Sequence, residues 1–316
     1  MLDFPKGLNA SATGNCVEYN VAGLYLCTDL IFQMIEMVQD KFDYTLPIKY
    51  IYGSPQVRWN GGRTLLKKDI NFSEQVVENE VKKVVSKGIV PLFTFSNSEI
   101  SEMDLEDKQC NLVLNIINEY DAEVIVTSEL LEKYIREKYP DIKIHASVIK
   151  TAFESIRNVE YYNSLAQKYE NYVIHPDDNF NYKLLALIKK KNAEIILNER
   201  CNYGCRLRSK HYESISREQV MVAKNKYQNE RFIDKCSAIP EHKQISTKVR
   251  NVSLTVSEMK AISQLGFRLF KIQGRTDNLY VYFFDLMRYM LEGEIVFPTA
   301  YTIFSEYIDK FIRKEK

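Results

Sequence analysis

Glu123-Val124-Ile125-Val126-Thr127, then Ser128–Lys138, then Lys143-Ile144-His145-Ala146-Ser147-Val148: these three segments read as strand, helix and strand. The first run is short, apolar and β-branched, as a strand covered on both faces is. A helix between two such runs is the crossover that parallel strands need. The same unit repeats in both directions. Upstream lie strand Ile48–Gly53, helix Ser73–Lys87, strand Ile89–Phe95 and helix Asp107–Tyr120. Ser73 suits a helix N-cap and Gly88 a helix stop. Downstream lie helix Val159–Lys168, strand Tyr172–Pro176, helix Phe180–Lys190, strand Ala193–Leu197 and, after a gap, strand Phe267–Gln273. Six or seven β–α units over this length predict an α/β fold, a TIM-like (β/α) barrel, rather than an open doubly wound sheet. No G-x-G-x-x-G follows a strand, which argues against dinucleotide binding.

The remaining segments decorate that plan. Residues 1–23 read as irregular, and Leu24–Phe42 as an amphipathic helix. Residues 206–265 read as an insertion before the last strand, helical around Arg217–Arg231, in a barrel that need not be regular. Residues 276–316 read as a C-terminal helical segment, broken near Gly293 and Pro298. The chain of 316 residues is therefore expected to be one barrel domain, 1–316.

Composition narrows the function classes. A formal net charge of +1 argues against broad non-specific nucleic-acid binding, which relies on excess cationic charge, and leaves room for a local basic patch. No apolar run reaches transmembrane length, so no membrane partner is expected. Met1-Leu2-Asp3-Phe4-Pro5-Lys6 lacks the basic-then-apolar order of a secretory signal. A cytoplasmic protein is expected, and its six cysteines should be reduced.

Chemistry concentrates after the seventh strand, in Asn198-Glu199-Arg200-Cys201-Asn202-Tyr203-Gly204-Cys205-Arg206-Leu207-Arg208-Ser209-Lys210-His211. α/β barrels place their sites at such strand exits. Cys201 and Cys205 form a loop-borne C-x3-C pair, and Cys236 lies further on in the insertion. Thiolates so disposed can wrap an Fe–S cluster, with Cys16 as a fourth ligand or one iron left open. Among metals zinc is second, since its sites favour closer pairs; ordinary buried cysteines paired by chance are the alternative to any metal. Cys27 and Cys110 fit helix cores. His211 is a candidate acid, base or ligand, or a solvated histidine at a helix start. His175 at its strand end is expected to face the site, whereas His145 reads as a satisfied core or lumen histidine. Arg206 and Arg208 are candidate substrate contacts. The loop holding Arg58 and Arg63 either cradles an anion or is a structural turn. Lys271, Gln273 and Arg275 share one strand face. They either bind substrate or join a buried charge network with Glu199.

At these residues the chain resembles a divergent member of the peptidase U32 family. Leu197-Asn198-Glu199-Arg200-Cys201 followed by Cys205 is similar to the family's strand end and cysteine loop. Phe270-Lys271-Ile272-Gln273-Gly274-Arg275 is similar to its last strand, Leu-Lys-Ile-Glu-Gly-Arg, and His145-Ala146-Ser147 to a His-x-Ser strand. The resemblance implies a TIM-like barrel and, as in several members, a [4Fe-4S] cluster. It also implies a role such as hydroxylation of RNA bases or quinone precursors, on a small-molecule or nucleic-acid-derived substrate, with a homologous partner subunit. Other members are called peptidases, so a hydrolase and a non-catalytic partner subunit stand as alternatives. In that reading Cys201, Cys205, Cys236 and Cys16 hold metal. His211, His175 and Arg275 act on a substrate held by Arg58, Arg63, Arg206, Arg208 and Lys271. Gln273 replaces the family's acidic residue, and no four cysteines cluster late in the chain.

Overall fold

The computed structural model describes residues 17–61, 73–223, 251–274, 278–291 and 296–314. Eight parallel strands close into a barrel in sequence order. They are β1 (Glu18–Ala22), β2 (Ile48–Gly53), β3 (Val90–Phe95), β4 (Glu123–Val126), β5 (Ile144–Ala146), β6 (Tyr172–Val173), β7 (Ala193–Ile196) and β8 (Leu269–Ile272). Around them lie α1 (Thr28–Phe42), α2 (Glu74–Ser86), α3 (Lys108–Glu119), α4 (Glu129–Lys138), α5 (Val148–Phe153), α6 (Val159–Lys168), α7 (Tyr182–Leu187) and α8 (Arg208–Ala223). After β7 and α8 come α9 (Val256–Gln264), and after β8 come α10 (Leu279–Met290) and α11 (Val296–Lys314).

Local chemistry sets many of the helix starts. Ser73, Asp107, Ser128 and Asn158 each cap a helix by accepting a backbone N–H of its first turn, which satisfies a donor the helix leaves free. Gly88, at φ +70°, ends the turn after α2. Pro298 does not break a helix. It lies in the first turn of α11, where no intrahelical N–H is required. The helix expected over Phe180–Lys190 is shorter, α7, preceded by a 3-10 turn at Pro176–Phe180. Val148 opens α5 rather than ending β5.

β1 corrects the irregular reading of residues 1–23. It pairs with β2 on one side and β8 on the other, and so closes the barrel. The run is short and interrupted by polar residues at alternate positions. Those positions face the lumen, where Asn20 donates to Glu194 Oε1 at 2.6 Å. Tyr19 and Val21 alternate to the other face and join the main core.

The lumen has its own small apolar cluster of Tyr50, Leu92, Ile125 and Leu269, separate from the core beneath the helices. Below it, at the strand starts, Glu123 and His145 meet at 2.5 Å, and Asn171 Nδ2 lies 3.2 Å from His145 Nδ1 and donates to Tyr50 Oη at 3.3 Å. That fits His145 as a satisfied lumen histidine. Among the described residues no helix is long and apolar enough to cross a membrane.

Candidate functional site

The barrel mouth, at the C-terminal ends of the strands, opens into a pocket of about 1130 Å³, open solvent included. One side is formed where β8, β1 and β2 end, by Lys271, Gln273, Tyr52 and Ser54. The opposite side is apolar, with Ile125, Val173 and the start of α5 (Val148, Ile149). Tyr212 of α8 also lines it. Among the described lining residues Lys271 is the one charged side chain, and none is His, Cys, Asp or Glu.

Lys271 is held from two sides. Its Nζ lies 3.2 Å from Glu194 Oε2 and 4.1 Å from the centre of the Tyr52 ring. Burial pushes the ammonium below its ordinary value, and the Glu194 carboxylate opposes that without cancelling it. Gln273, two residues along the same face, donates to Glu199 at 3.2 Å, while its Oε1 is buried with no hydrogen-bond partner. The partner of Lys271 is thus Glu194, and Glu199 instead serves Gln273. A glutamate inside the otherwise apolar run Ala193–Leu197 is the signal that marks this lumen position.

The cysteine loop lies beside the mouth. Asn198 ties the end of β7 to β8, accepting from Gln273 N at 2.7 Å and donating to Gln273 O at 2.8 Å. It also donates to Asp285 of α10 at 3.0 Å, which pairs with Arg200 and Arg288 as well. Cys201 and Cys205 are half-buried thiols in hydrogen-bond contact. That contact, followed by burial, pushes the Cys201 thiol up, while Arg208 pulls the other way. Cys27 and Cys110 are buried in the helix cores, as expected.

Arg208 joins the loop to β6. Its Nη2 donates to Asp177 Oδ1 and to Asn202 O, both at 2.9 Å. Its Nη1 lies 3.0 Å from His175 Nε2. His175, at the end of its strand, therefore meets a cation beside the cysteine loop. Burial first, then Arg208 and Arg157, lower its pKa to about 2. The unfolded chain binds a proton at this residue below about pH 6.5 and the folded chain does not. Folding stability is accordingly lost from this residue as pH falls from about 6.5 toward 2. His175→Gln should flatten the urea-stability profile between pH 4 and 7 (about two or more units of the window above). Parallel profiles for the two chains would contradict the assignment.

Other candidates are placed as follows. Arg58 is drawn to Asp104 at 2.5 Å, with Asp107 at 3.9 Å, and Trp59 beside it is fully buried and donates to Asp104 O at 2.8 Å. Arg206 is exposed in the turn after Cys205. His211 is half-buried and stacks at 6.4 Å on Tyr212, one residue from the pocket wall. Arg63, Arg275, Cys16 and Cys236 lie outside the described residues. Among the described residues no three His, Cys, Asp or Glu side chains form a group able to hold a metal ion. The structure brings together His175, Arg208 and the thiol pair, and separately Lys271 and the mouth. Tyr52, Tyr212, Glu194 and Asp177 are additions that sequence reading did not nominate.

No protein-family model matches the chain, and no curated protein matches it. A solved structure, that of the U32 peptidase Mk0906, shares its fold with a TM-score of 0.52, covering 87% of this chain and 98% of that one at 12% identity. At that identity the likeness speaks to architecture: the chain has a closed, U32-like parallel barrel.

Proposed function

We propose that this protein is a U32-like enzyme acting on a small organic substrate with a polar or anionic end, bound in the barrel mouth. The observation that carries the reading is the mouth pocket, apolar on one side and with a buried lysine on the other. Lys271 and Gln273 bind the polar end, and His211 stands beside the pocket-lining Tyr212; Arg208 and His175 form a separate cluster with the cysteine loop. Arg63, Arg206 and Arg275 complete the proposed contacts of a larger, nucleic-acid-derived substrate, whereas Arg58 is taken up by Asp104 and Asp107. A peptidase reading is less favoured, because the described lining has neither a nucleophilic cysteine nor a histidine base. A partner-subunit role predicts that the isolated chain binds no ligand in its mouth.

Binding tests this directly. A panel of small carboxylates, phosphates and nucleobases is screened by melting shift and calorimetry. Lys271→Met should weaken any hit about ten- to a hundred-fold, the loss of one charge-assisted contact. Hits indifferent to Lys271→Met, or no hits, would remove the reading.

We further propose that Cys201 and Cys205 are two thiolate ligands of a [4Fe-4S] cluster, with Cys236 and Cys16 as the others. Two thiols in contact beside the Arg208 cation fit half of such a ligand set. A bound cluster would supply electron transfer or a Lewis-acidic iron, for hydroxylation or another modification. Protein purified without oxygen should then carry iron and sulfide. Cys201→Ser, Cys205→Ser and Cys236→Ser should each lose them, while Cys27→Ser and Cys110→Ser keep them. Retention of iron in Cys16→Ser would mean an open iron. Iron-free protein would leave the pair as packing thiols.

A further inference from the structure

We propose that Lys271 is an imine-forming residue, whose amine condenses with an aldehyde or ketone carbonyl held in the barrel mouth. The proposal rests on the mouth being a substrate site and names the reactive group of that substrate. Lys271 lines the pocket near the end of β8 and is its one charged lining residue among those described. Its Nζ is fixed over the Tyr52 ring and beside Glu194, so few rotamers are lost on reaction. Glu194 is itself held by Asn20 at 2.6 Å and can take the proton that an ammonium must shed. Burial already tilts Lys271 toward the free amine. Gln273 Oε1, buried and unpartnered on the same strand face, is an acceptor for a hydroxyl formed next to Lys271. The apolar wall of Ile125, Val148, Ile149 and Val173 suits the hydrocarbon part of the substrate and limits water, which would hydrolyse the product.

The step balances without an oxidant or reductant. The Lys271 ammonium gives a proton to Glu194. Nζ then bonds to the carbonyl carbon as the C–O π bond opens, and a proton moves from nitrogen to oxygen to give a carbinolamine. Glu194 returns its proton to that hydroxyl, the C–O bond breaks and water leaves. Ammonium plus carbonyl become a protonated imine plus water.

The test uses hydrocinnamaldehyde as the carbonyl probe and hydrocinnamate as its non-reacting carboxylate counterpart. The full chain at about pH 7 is treated with limiting aldehyde and cyanoborohydride, and labelled lysines are located by peptide mass. Each unit by which a lysine's pKa falls raises its free-amine fraction about ten-fold. Lys271 should therefore be labelled ahead of the surface lysines, hydrocinnamate should suppress it, and Glu194→Gln should slow it. Labelling read on the unaltered chain does not depend on a variant folding. If calorimetry shows hydrocinnamate bound but Lys271 stays unlabelled while surface lysines react, the imine proposal fails and the mouth remains a binding site. If neither compound binds and Lys271 is not labelled, both readings fall.

Discussion

Glu194→Leu is expected to cost about 3–5 kcal/mol of folding stability, and adding Lys271→Met to the same chain is expected to restore most of it. Both side chains are nearly sealed from water, at 2% and 6% exposure. Removing the carboxylate leaves a buried ammonium and an Asn20 amide without their acceptor. A buried pair replaced whole by apolar groups of similar volume loses little, because two desolvation penalties vanish with the attraction. Lys271 can limit the damage in Glu194→Leu by shedding its proton, since burial already favours the neutral amine. The folded lysine then binds fewer protons than the unfolded one, so the deficit deepens as pH falls below about 10.4. Urea melts of the two single variants and the double variant give the coupling energy directly. Additive losses below about 1 kcal/mol each would show the pair to be solvated and the lumen wet. The double variant also separates folding from function, since it should fold and yet bind an anion in the mouth about ten- to a hundred-fold more weakly.

Trp59→Ala should cost about 3–5 kcal/mol and degrade the mouth as well. The indole is fully buried and stands edge-on to Phe95 at 5.3 Å and to Tyr134 at 5.8 Å. Its Nε1 donates to Asp104 O, and its carbonyl accepts from Asn97 N at 3.1 Å. These contacts press the β2 exit loop onto the β3 exit. At Gly61 the two backbones are so close that an added Cβ would lie 2.2 Å from the Ser96 carbonyl carbon. Asn60, Gly61 and Ser96 line the pocket, so a cavity under Trp59 loosens a pocket wall. Trp59→Phe should recover part of the stability, by keeping the aromatic packing and losing the hydrogen bond. Thermal melts alongside ligand titration decide the matter. A loss under about 1 kcal/mol with unchanged binding would mean the loop is held by Arg58 and its carboxylates instead.

The barrel was legible in the sequence because its evidence is local. Ser73, Asp107 and Ser128 stand at helix starts where a side-chain oxygen satisfies a free N–H, and the runs at 90–95 and 123–126 are apolar enough to be buried strands. The position of the cysteine loop after β7, and of His175 at a strand end, followed from the same periodicity. What needed the tertiary structure was every pairing across the barrel. β1 escaped notice because its polar, lumen-facing residues break the continuous apolar run that marks the other buried strands, and at five residues its alternation is short. It became visible only through hydrogen bonds to β2 and β8. Lys271 finds Glu194 on the adjacent strand because the β7–β8 register sets Ile196 opposite Lys271, two residues beyond Glu194 on the same face. Arg208 reaches back across 33 residues to His175. Arg58, nominated for an anion, is instead held by Asp104. Strand and helix formation are decided by neighbours in the chain, whereas the charge partners inside a barrel are decided by register and closure, which no short stretch of sequence contains.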